Sequence, residues 1–377
     1  MCTVSTRVPT IVRYHTLLNG SVLRRSWSYP ERMQTETRPV PTPRSVRMID
    51  VARLAGVSQQ TVSRVVNGHS NVGAEVRERV EQAIVQLRYN RNSAARALAT
   101  NRSMNLGVIS YSLPVHGSTM VLFGVAEEAR RNGYSTSLVS ISDVDPRTIR
   151  TALDTLVGDS VDGIVVLAPM SAAAPVLDGL DLPVPIVRFE QGTPAGPHTV
   201  TMDDVLGAQL ATRHLLDLGH ETVWHVAGPP GWTASDARRS GWLSELAGRG
   251  RPMNPDFATT DWTAESGYRA GLLIAQNPTI TAVLAANDAM ALGIMKALTE
   301  QGRRVPADVS VVGFDDMSEA RYFQPGLTTI RLDFDEVGRV AVERLLHLMG
   351  GEPAEQIPAI DPELIVRAST APPRPRA

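Results

Sequence analysis

The hydrophobic pattern of the chain changes near residue 106. From there to about residue 370, short continuous apolar runs alternate with segments of helical periodicity. Continuous apolar strands separated by helices are typical of parallel sheets that are covered on both faces. A span of about 265 residues is too long for one small α/β unit and suits two. The apolar runs are LGVIS, GIVVLAP, PIVRF, VWHVAG, AVLAAND and VSVVGFDD.

The front of the chain has a different pattern. Helical spacing of apolar residues predicts three short amphipathic helices, near residues 49–55, 59–66 and 74–88. A fourth short helix is predicted in NSAARALAT at 92–100, with Asn92 as its N-cap. Short helices in a row indicate a small all-α domain ahead of the α/β body.

Both ends of the chain are expected to be loose. Residues 1–46 have no sustained apolar period and contain RPVPTPRSVR, which predicts a disordered basic extension. Met33 and Met48 are alternative start sites to Met1, so the extension is not necessarily translated in full. The tail at 371–377 follows the strand-like run ELIVRAS directly, and no leucine heptad is appended.

The stretch MIDVARLAGVSQQTVSRVVNG predicts a helix-turn-helix. Ala52 is small where two helices cross, and Gly56 supplies the positive φ of the turn. Ser58 is expected to cap the second helix. The buried stripe of that helix is Val62, Val65 and Val66.

The opposite face of the second helix is polar and has no acidic residue. Gln bonds adenine through two hydrogen bonds and Arg bonds guanine in the same way, whereas a carboxylate would face phosphates. The alternative is an ordinary solvated helix in a small bundle. Agreement between the turn, the cap and the face favours the DNA-reading helix, with outward residues Gln59, Gln60, Ser63 and Arg64.

Charge supports the same interpretation. Through Arg102 the chain has 16 arginines and six acidic residues, whereas the remainder has 21 basic and 33 acidic residues. A basic front joined to an acidic body is typical of a protein whose front meets a polyanion. Cys2 is the only cysteine, and no apolar stretch or leader resembles a membrane span or a secretory signal. We therefore expect a soluble, cytoplasmic protein without a cofactor or a metal.

From about residue 48 to about 370 the sequence resembles the lactose-repressor family of bacterial regulators. DVARLAGVSQQTVSRVVNG is similar to the family's helix-turn-helix, and NSAARALAT is similar to its hinge helix, which folds on operator DNA. Leu98 stands where the family inserts a leucine wedge into the minor groove. The resemblance implies this set of DNA-binding residues: Ser58, Gln59, Gln60, Thr61, Ser63, Arg64, Asn67, Asn92, Ala95 and Leu98.

Three positions depart from the family pattern. Gln59 replaces a tyrosine that is frequent at the first recognition position, so the operator sequence cannot be transferred. Arg47 stands at the usual threonine cap of the first helix, and Arg91 stands where proline is common before the hinge. The last two affect stability, and none removes the DNA-binding assignment.

The resemblance also implies the fold class and the domain limits. It predicts an N-terminal all-α helix-turn-helix domain and a hinge helix, joined to an α/β periplasmic-binding-protein-like core of two parallel-sheet subdomains crossed by three connections. The predicted limits are 47–91 for the helix-turn-helix domain, 92–103 for the hinge and linker, and 104–370 for the core. The core is predicted to have two subdomains. One consists of residues 104–202 and 332–360, and the other consists of residues 203–331 and 361–370.

Ligands in open parallel sheets sit at the carboxyl ends of strands. Polar or aromatic residues follow several apolar runs here, and such side chains can grip sugar hydroxyls and pack on apolar C–H faces. By motif match, residues at effector-contacting positions of the family are Arg238, Trp262, Asn287, Asp315 and Phe334. Glu190 replaces a family aspartate, Tyr111 a serine and Leu167 an asparagine. The predicted ligand-binding set is therefore these five residues with Tyr111 and Glu190.

Each candidate has a structural alternative. Asp288 and Asp316 can equally be helix caps, and Trp262 alone can be a core residue. Arg238 can pair with Asp236 or Glu245 on the surface. Taken together at strand ends, the set favours a pocket.

An enzyme is disfavoured. The carboxylates of Asp315 and Asp316 would diverge, and no G-x-S-x-G, P-loop or G-x-G-x-x-G follows a strand. His214 and His220 lack the acidic neighbours of a metal site. A periplasmic sugar-binding protein would need an export signal and would not use residues 48–100.

The predicted function is a homodimeric regulator that binds a palindromic operator in double-stranded DNA. The favoured version is a repressor released by a sugar-like inducer, and DWTAESGY and NDAMALG favour galactosides over purines. The alternative is a corepressor-type regulator whose ligand tightens DNA binding.

Overall fold

The computed structural model describes residues 46–66, 71–89, 102–111, 116–167, 173, 176–177, 182–254, 260–353 and 355–374. The chain divides into two compact units, Met1–Asn90 and Arg91–Ala377. Among the described helices, none combines the length and the apolar character that a bilayer crossing requires. The predicted DNA-binding residues Asn67, Asn92, Ala95 and Leu98 lie outside the described residues.

The first unit contains the three predicted helices, which are confirmed within a residue or two: α1 (Met48–Ala55), α2 (Gln59–Val66) and α3 (Ala74–Leu87). Gly56 ends α1 with φ 66°, as the turn requires. Arg47 offers no side-chain cap, and the carboxylate of Asp50 instead accepts from the Arg47 N–H at 2.9 Å. The apolar stripes of the helices form one core around Val51, Val62, Val65 and Val80.

The second unit contains two five-stranded sheets. The strands are β1 (Asn105–Tyr111), β2 (Ser135–Ile141), β3 (Gly163–Leu167), β4 (Ile186–Phe189), β5 (Thr199–Val200), β6 (Trp224–Val226), β7 (Ala282–Ala285), β8 (Ser310–Asp315), β9 (Thr328–Arg331) and β10 (Glu363–Ile365). The first sheet has the order β2-β1-β3-β4-β5 and is parallel throughout. The second has the order β10-β9-β8-β7-β6, with β10 antiparallel at its edge.

Helices cover both sheets. The described helices of this unit are α4 (His116–Arg131), α5 (Pro146–Gly158), α6 (Asp204–Asp217), α7 (Thr233–Gly248), α8 (Ala264–Gln276), α9 (Asp288–Glu300) and α10 (Phe334–Met349). The six apolar runs of the sequence form β1, β3, β4, β6, β7 and β8, because strands buried on both faces have no polar side to show. Strand β2, with the sequence STSLVSI, was not predicted because it lies at the sheet edge and most of it is at least half-exposed.

The chain passes between the sheets more than once. Strand β5 of the first sheet is followed by α6, which packs on the second sheet, and β9 is followed by α10, which packs on the first. The chain then returns to the second sheet at β10. A bridge between Met202 and Ile360 and a bond from the Asp203 N–H to the Ile360 carbonyl join two of these crossings.

The start of the tail is held to the body, where the sequence suggested a loose end. The carbonyl of Ala371 lies 3.0 Å from His220 Nε2 and accepts from the Ser310 hydroxyl at 3.0 Å. Arg374 pairs with Asp308 at 3.3 Å.

Candidate functional site

Helix α2 presents a polar face in the first unit. The Ser58 hydroxyl accepts from the Thr61 N–H at 3.1 Å, which confirms Ser58 as the cap of this helix. Val62 and Val65 are buried, and Val66 is half-buried. The remaining predicted contact residues are exposed or half-exposed: Gln59, Gln60, Thr61, Ser63 and Arg64. The face therefore combines amide and hydroxyl groups in the first turns of α2 with the guanidinium of Arg64 in its last turn.

A cavity lies in the second unit, at the carboxyl ends of strands from the second sheet. Its volume is about 20 Å³, enough for about one water molecule. Four residues predicted from the sequence are brought together in its wall: Arg238, Trp262, Asn287 and Asp315. The other lining residues are Gly117, Ser118, Gln191, Trp232 and Ala234.

Arg238 is the centre of the polar wall and is 3% exposed. Its Nε donates to Asp204 Oδ1 at 2.8 Å, and its Nη2 donates to Asp315 Oδ1 at 3.2 Å. Nη1 donates to the Ala286 carbonyl, and the guanidinium carbon lies 3.9 Å from the ring centre of Phe314. The alternative of a surface pairing between Arg238 and Asp236 or Glu245 is therefore excluded, because the side chain is held inside the molecule.

Several buried carboxyl groups lie around the single guanidinium of Arg238. Burial raises the pKa of Asp204 to about 6, although Arg238 opposes the shift. Burial also raises the pKa of Asp315 and, together with the charge of Asp315, the pKa of Asp288. The site thus holds more carboxylates than its guanidinium neutralises, which favours ligands that donate hydrogen bonds over anions.

Asn287 and Asp288 have separate roles. Asn287 caps α9, because its Oδ1 accepts from the Met290 N–H at 2.8 Å, while its Nδ2 donates to the Trp262 carbonyl at 3.1 Å. Asp288 accepts from the Thr329 hydroxyl and from the Met317 N–H. Asp288 therefore joins the ends of neighbouring strands, whereas Asn287 faces the cavity.

Trp262 and Asp315 line the cavity with unusual backbone angles, φ 69° and φ 103°. Positive φ in a residue with a side chain is strained, and such strain gathers at functional sites. The indole of Trp262 packs over Gly228, where an added Cβ would lie 2.3 Å from Cη2. Its Nε1–H is buried without a hydrogen-bond partner.

The other predicted ligand residues lie behind the lining. The ring of Tyr111 contacts Trp232 edge-on, with centroids 5.8 Å apart. Phe334 begins α10 and packs under Gly117, which forms part of the wall. Glu190 is buried with Arg188 3.6 Å away, and the residue after it, Gln191, lines the cavity.

Several candidates do not belong to the cavity wall. Asp316 pairs with Arg331 and Arg367, and among the described helices it caps none. His214 bonds the Thr370 hydroxyl, and His220 bonds hydroxyl and carbonyl groups around it. Within the described ranges, no group of His, Cys, Asp and Glu could hold a metal ion.

Each of the two units matches a known protein family. Residues 47–92 match the model for bacterial regulatory proteins of the lacI family, and residues 212–370 match a periplasmic binding protein-like domain. The lactose operon repressor of Escherichia coli K12 is 34% identical over 332 residues, which cover 87% of this chain and 91% of the relative. The chain belongs to the LacI family. It is a DNA-binding transcriptional regulator with a ligand-binding core.

Further LacI-family proteins are similarly related. The HTH-type transcriptional repressor PurR of Pasteurella multocida is 34% identical over 85% of this chain and 97% of its own length. A lac repressor dimer bound to operator and the anti-inducer ONPF superposes with a TM-score of 0.78 and 33% identity, covering 87% of this chain and 99% of that chain. A complex of the regulator CelR with cellobiose superposes with a TM-score of 0.63 and 29% identity. The match covers 86% of this chain and 99% of that chain. The predicted family and fold class are confirmed.

Sequence reasoning missed Trp232 and Asp204. Trp232 follows strand β6 by six residues in GPPGW, so the search at strand ends could have found it. Asp204 has no such signal, because it is the first residue of α6 and meets Arg238 only through the fold. The small residues of the wall, Gly117 and Ala234, also carry no chemical signature in the sequence.

Proposed function

We propose that this LacI-family regulator is a homodimeric repressor that binds a palindromic operator and is released by a neutral, sugar-like effector. The observation that carries the proposal is the convergence of Arg238, Asn287, Asp315 and Trp262 on one cavity. A guanidinium, an amide and a carboxylate suit vicinal hydroxyls, and an indole face suits the C–H face of a pyranose.

On the DNA side, the exposed start of α2 would read base edges in the major groove. Gln59, Gln60 and Arg64 are the residues best suited to bidentate contacts there. Two copies related by a twofold axis would read two half-sites. The predicted hinge residues, Asn92, Ala95 and Leu98 among them, would complete the contact in the minor groove.

The effector would act by differential affinity. A ligand that prefers one arrangement of the two sheets shifts the population toward it, by no more than its difference in binding free energy. In the repressor version, that arrangement separates the hinge segments and the DNA is released. In the corepressor version, the ligand prefers the DNA-binding arrangement.

The first experiment is a gel-shift titration on the DNA upstream of this protein's own gene, with galactosides and other neutral sugars. Release of a specific complex supports an inducible repressor. A complex strengthened by a sugar would establish the corepressor alternative. A folded protein that gives no specific complex would contradict the DNA-reading role of α2.

The DNA-reading role has a matched pair of variants. Arg64→Ala removes an exposed guanidinium of α2, whereas Arg53→Ala removes an exposed one from α1. Loss of a bidentate base contact costs about 1–3 kcal/mol, so Arg64→Ala should weaken specific binding about ten- to a hundredfold. Arg53→Ala should have a much smaller effect, and equal effects would indicate mere loss of charge.

The ligand-binding role of the pocket can also be tested with a matched pair of variants. Asp315→Asn keeps the shape of the side chain in the cavity wall, and Asp236→Asn changes an exposed carboxylate on the same helix as Arg238. We expect Asp315→Asn to raise the effector concentration that releases half of the DNA complex by about tenfold or more. Asp236→Asn should leave that concentration unchanged, and the same value for both variants would remove Asp315 from the proposed site.

A further inference from the structure

Three aromatic rings form a corner at one side of the cavity. Trp232 lies between Tyr111 and Trp262, with centroid distances of 5.8 Å and 5.6 Å and interplanar angles of 85° and 69°. Edge-to-face contacts of this kind stabilise aromatic pairs and fix their orientation. Trp232 is only 6% exposed, yet it lines the cavity. A small part of the Trp232 indole thus reaches the cavity, and its two aromatic neighbours fix its orientation.

The loop that carries Trp232 is shaped to place it there. Gly228 leaves room for the indole of Trp262, and Gly231 has φ 78° immediately before Trp232. Two prolines, Pro229 and Pro230, restrict the backbone between these glycines. The loop thereby brings the indoles of Trp232 and Trp262 into contact where both line the cavity.

Trp262 adds an unpaired hydrogen-bond donor to the cavity wall. Its Nε1–H is buried without a partner, although the side chain lines the cavity. Buried N–H groups of indole rings are normally hydrogen-bonded, so an unpaired one at a cavity wall is explained by a ligand acceptor. A hydroxyl, ring or glycosidic oxygen would satisfy it.

The polar side of the cavity selects against negative charge. Asp204 and Asp315 both form ion pairs with the single guanidinium of Arg238. The charge of Asp315 also contributes to the raised pKa of Asp288. A phosphate or carboxylate placed next to Asp315 would meet repulsion, whereas a sugar hydroxyl can donate to it.

We propose that Trp232 is a specificity-determining residue that selects neutral glycosides carrying an apolar ring. The sugar hydroxyls face Asn287 and Asp315, an oxygen accepts from the indole N–H of Trp262, and the apolar aglycone packs against Trp232. The inference rests on the proposed function, because it concerns the effector of the same cavity.

The test compares two glycosides of one sugar. Calorimetric titration of the full chain uses the methyl and the phenyl glycoside of whichever neutral sugar releases the DNA complex best, together with the 6-phosphate of that sugar. The variants are Trp232→Ala and the conservative Trp232→Phe. Trp224→Phe, at the start of β6 and outside the cavity lining, is the control. Circular dichroism confirms that each variant is folded.

We expect the natural chain to bind the phenyl glycoside about tenfold more tightly than the methyl glycoside, as an aromatic contact of this size implies. Trp232→Ala should abolish the preference, Trp232→Phe should retain most of it, and Trp224→Phe should leave it unchanged. The 6-phosphate should bind more weakly than the neutral sugar.

Different failures point to different conclusions. If neutral glycosides bind but the preference survives Trp232→Ala, the inference is wrong and the proposed function stands. If the 6-phosphate binds more tightly than the neutral sugar, the effector is not neutral, and both the proposed effector class and the inference are wrong. If no neutral glycoside binds the folded chain, the proposed function fails and the inference fails with it.

Discussion

At the scale of single residues, Arg303 shows how one side chain closes a loop. Its Nη1 donates to the carbonyls of Ile274 and Asn277 at the end of α8, at 3.1 Å and 2.8 Å. Its Nη2 donates to the carbonyls of Ile280 and Asp308 at 2.7 Å and 3.3 Å. The carbonyls of Ile274 and Asn277 also accept from backbone N–H groups, so the guanidinium adds a charged donor to the turn that follows α8.

Arg303→Ala should therefore destabilise the body by about 2–4 kcal/mol, because several carbonyls lose a charged donor. The neighbouring Arg304→Ala is the control, since Arg304 is exposed and forms a surface ion pair with Asp308. Such pairs contribute less than about 1 kcal/mol. Urea unfolding monitored by circular dichroism measures both. Equal losses for the two variants would show that the carbonyl contacts contribute nothing beyond charge.

At the scale of elements, α8 and α9 pack with their backbones unusually close. A Cβ added at Gly293 of α9 would lie 1.9 Å from the Ala264 carbonyl oxygen, and one at Gly267 of α8 would lie 2.2 Å from the Met290 carbonyl oxygen. Main-chain atoms cannot move aside as a flexible side chain can. The position of α9, and with it the capping residue Asn287 in the cavity wall, depends on these glycines.

Gly293→Ala should force the two helices apart and cost about 3 kcal/mol, despite the better helix propensity of alanine. Gly248→Ala, at the end of α7, is the matched control because an added Cβ there meets nothing within 4 Å. It should be neutral or slightly stabilising. Thermal unfolding distinguishes the two, and a Gly293→Ala protein as stable as the natural one would contradict the close packing.

At the scale of the whole molecule, Asp204 joins the ligand cavity to the crossing between the sheets. It is the first residue of α6, directly after the segment in which Met202 bridges Ile360. Its carboxylate binds Arg238 of the cavity wall at 2.8 Å. Asp204 therefore connects the cavity wall directly to the segment that crosses between the sheets.

The stability of the body should depend on this carboxylate between pH 4 and 6. The pKa of Asp204 rises from 3.8 to about 6 in the folded state, chiefly because of burial, so the folded protein binds the proton more tightly than the unfolded chain does. The stabilising contribution is complete below about pH 4 and is lost as the pH rises toward 6. Its size is on the order of 3 kcal/mol.

Asp204→Asn cannot ionise, so its free energy of unfolding should rise relative to the natural chain as the pH increases from 4 to 6. Asp308→Asn provides a control of opposite sign and different range, because Arg304 lowers the pKa of Asp308 from 3.8 to about 2. Its stabilising contribution is present above about pH 4 and is lost as the pH falls toward 2. Unfolding measured at several pH values tests both. A constant difference for Asp204→Asn would mean that the carboxylate does not titrate in this range.

The local sequence predicted what local physics controls. Helices α1 to α3, the Gly56 turn and the Ser58 cap depend on spacing, a positive φ and one short-range hydrogen bond, and all are confirmed. Six of the buried strands were visible because each forms a continuous apolar run, as is usual for strands covered on both faces. Strand β9, which carries the buried Thr328 and Thr329, has no such run. The edge strand β2 has no such signal in the sequence, because a strand with solvent on one side needs no continuous apolar run.

Tertiary structure alone decided which polar residues share the cavity. Asp204 and Asp315 are more than a hundred residues apart, and they meet only because Arg238 lies between them. Asp288 and Asn287 are adjacent, yet one joins strand ends and the other faces the cavity, since successive residues at a helix start point in different directions. Residue type therefore predicted the chemistry available to the protein, whereas the packing of two sheets determined where that chemistry is assembled.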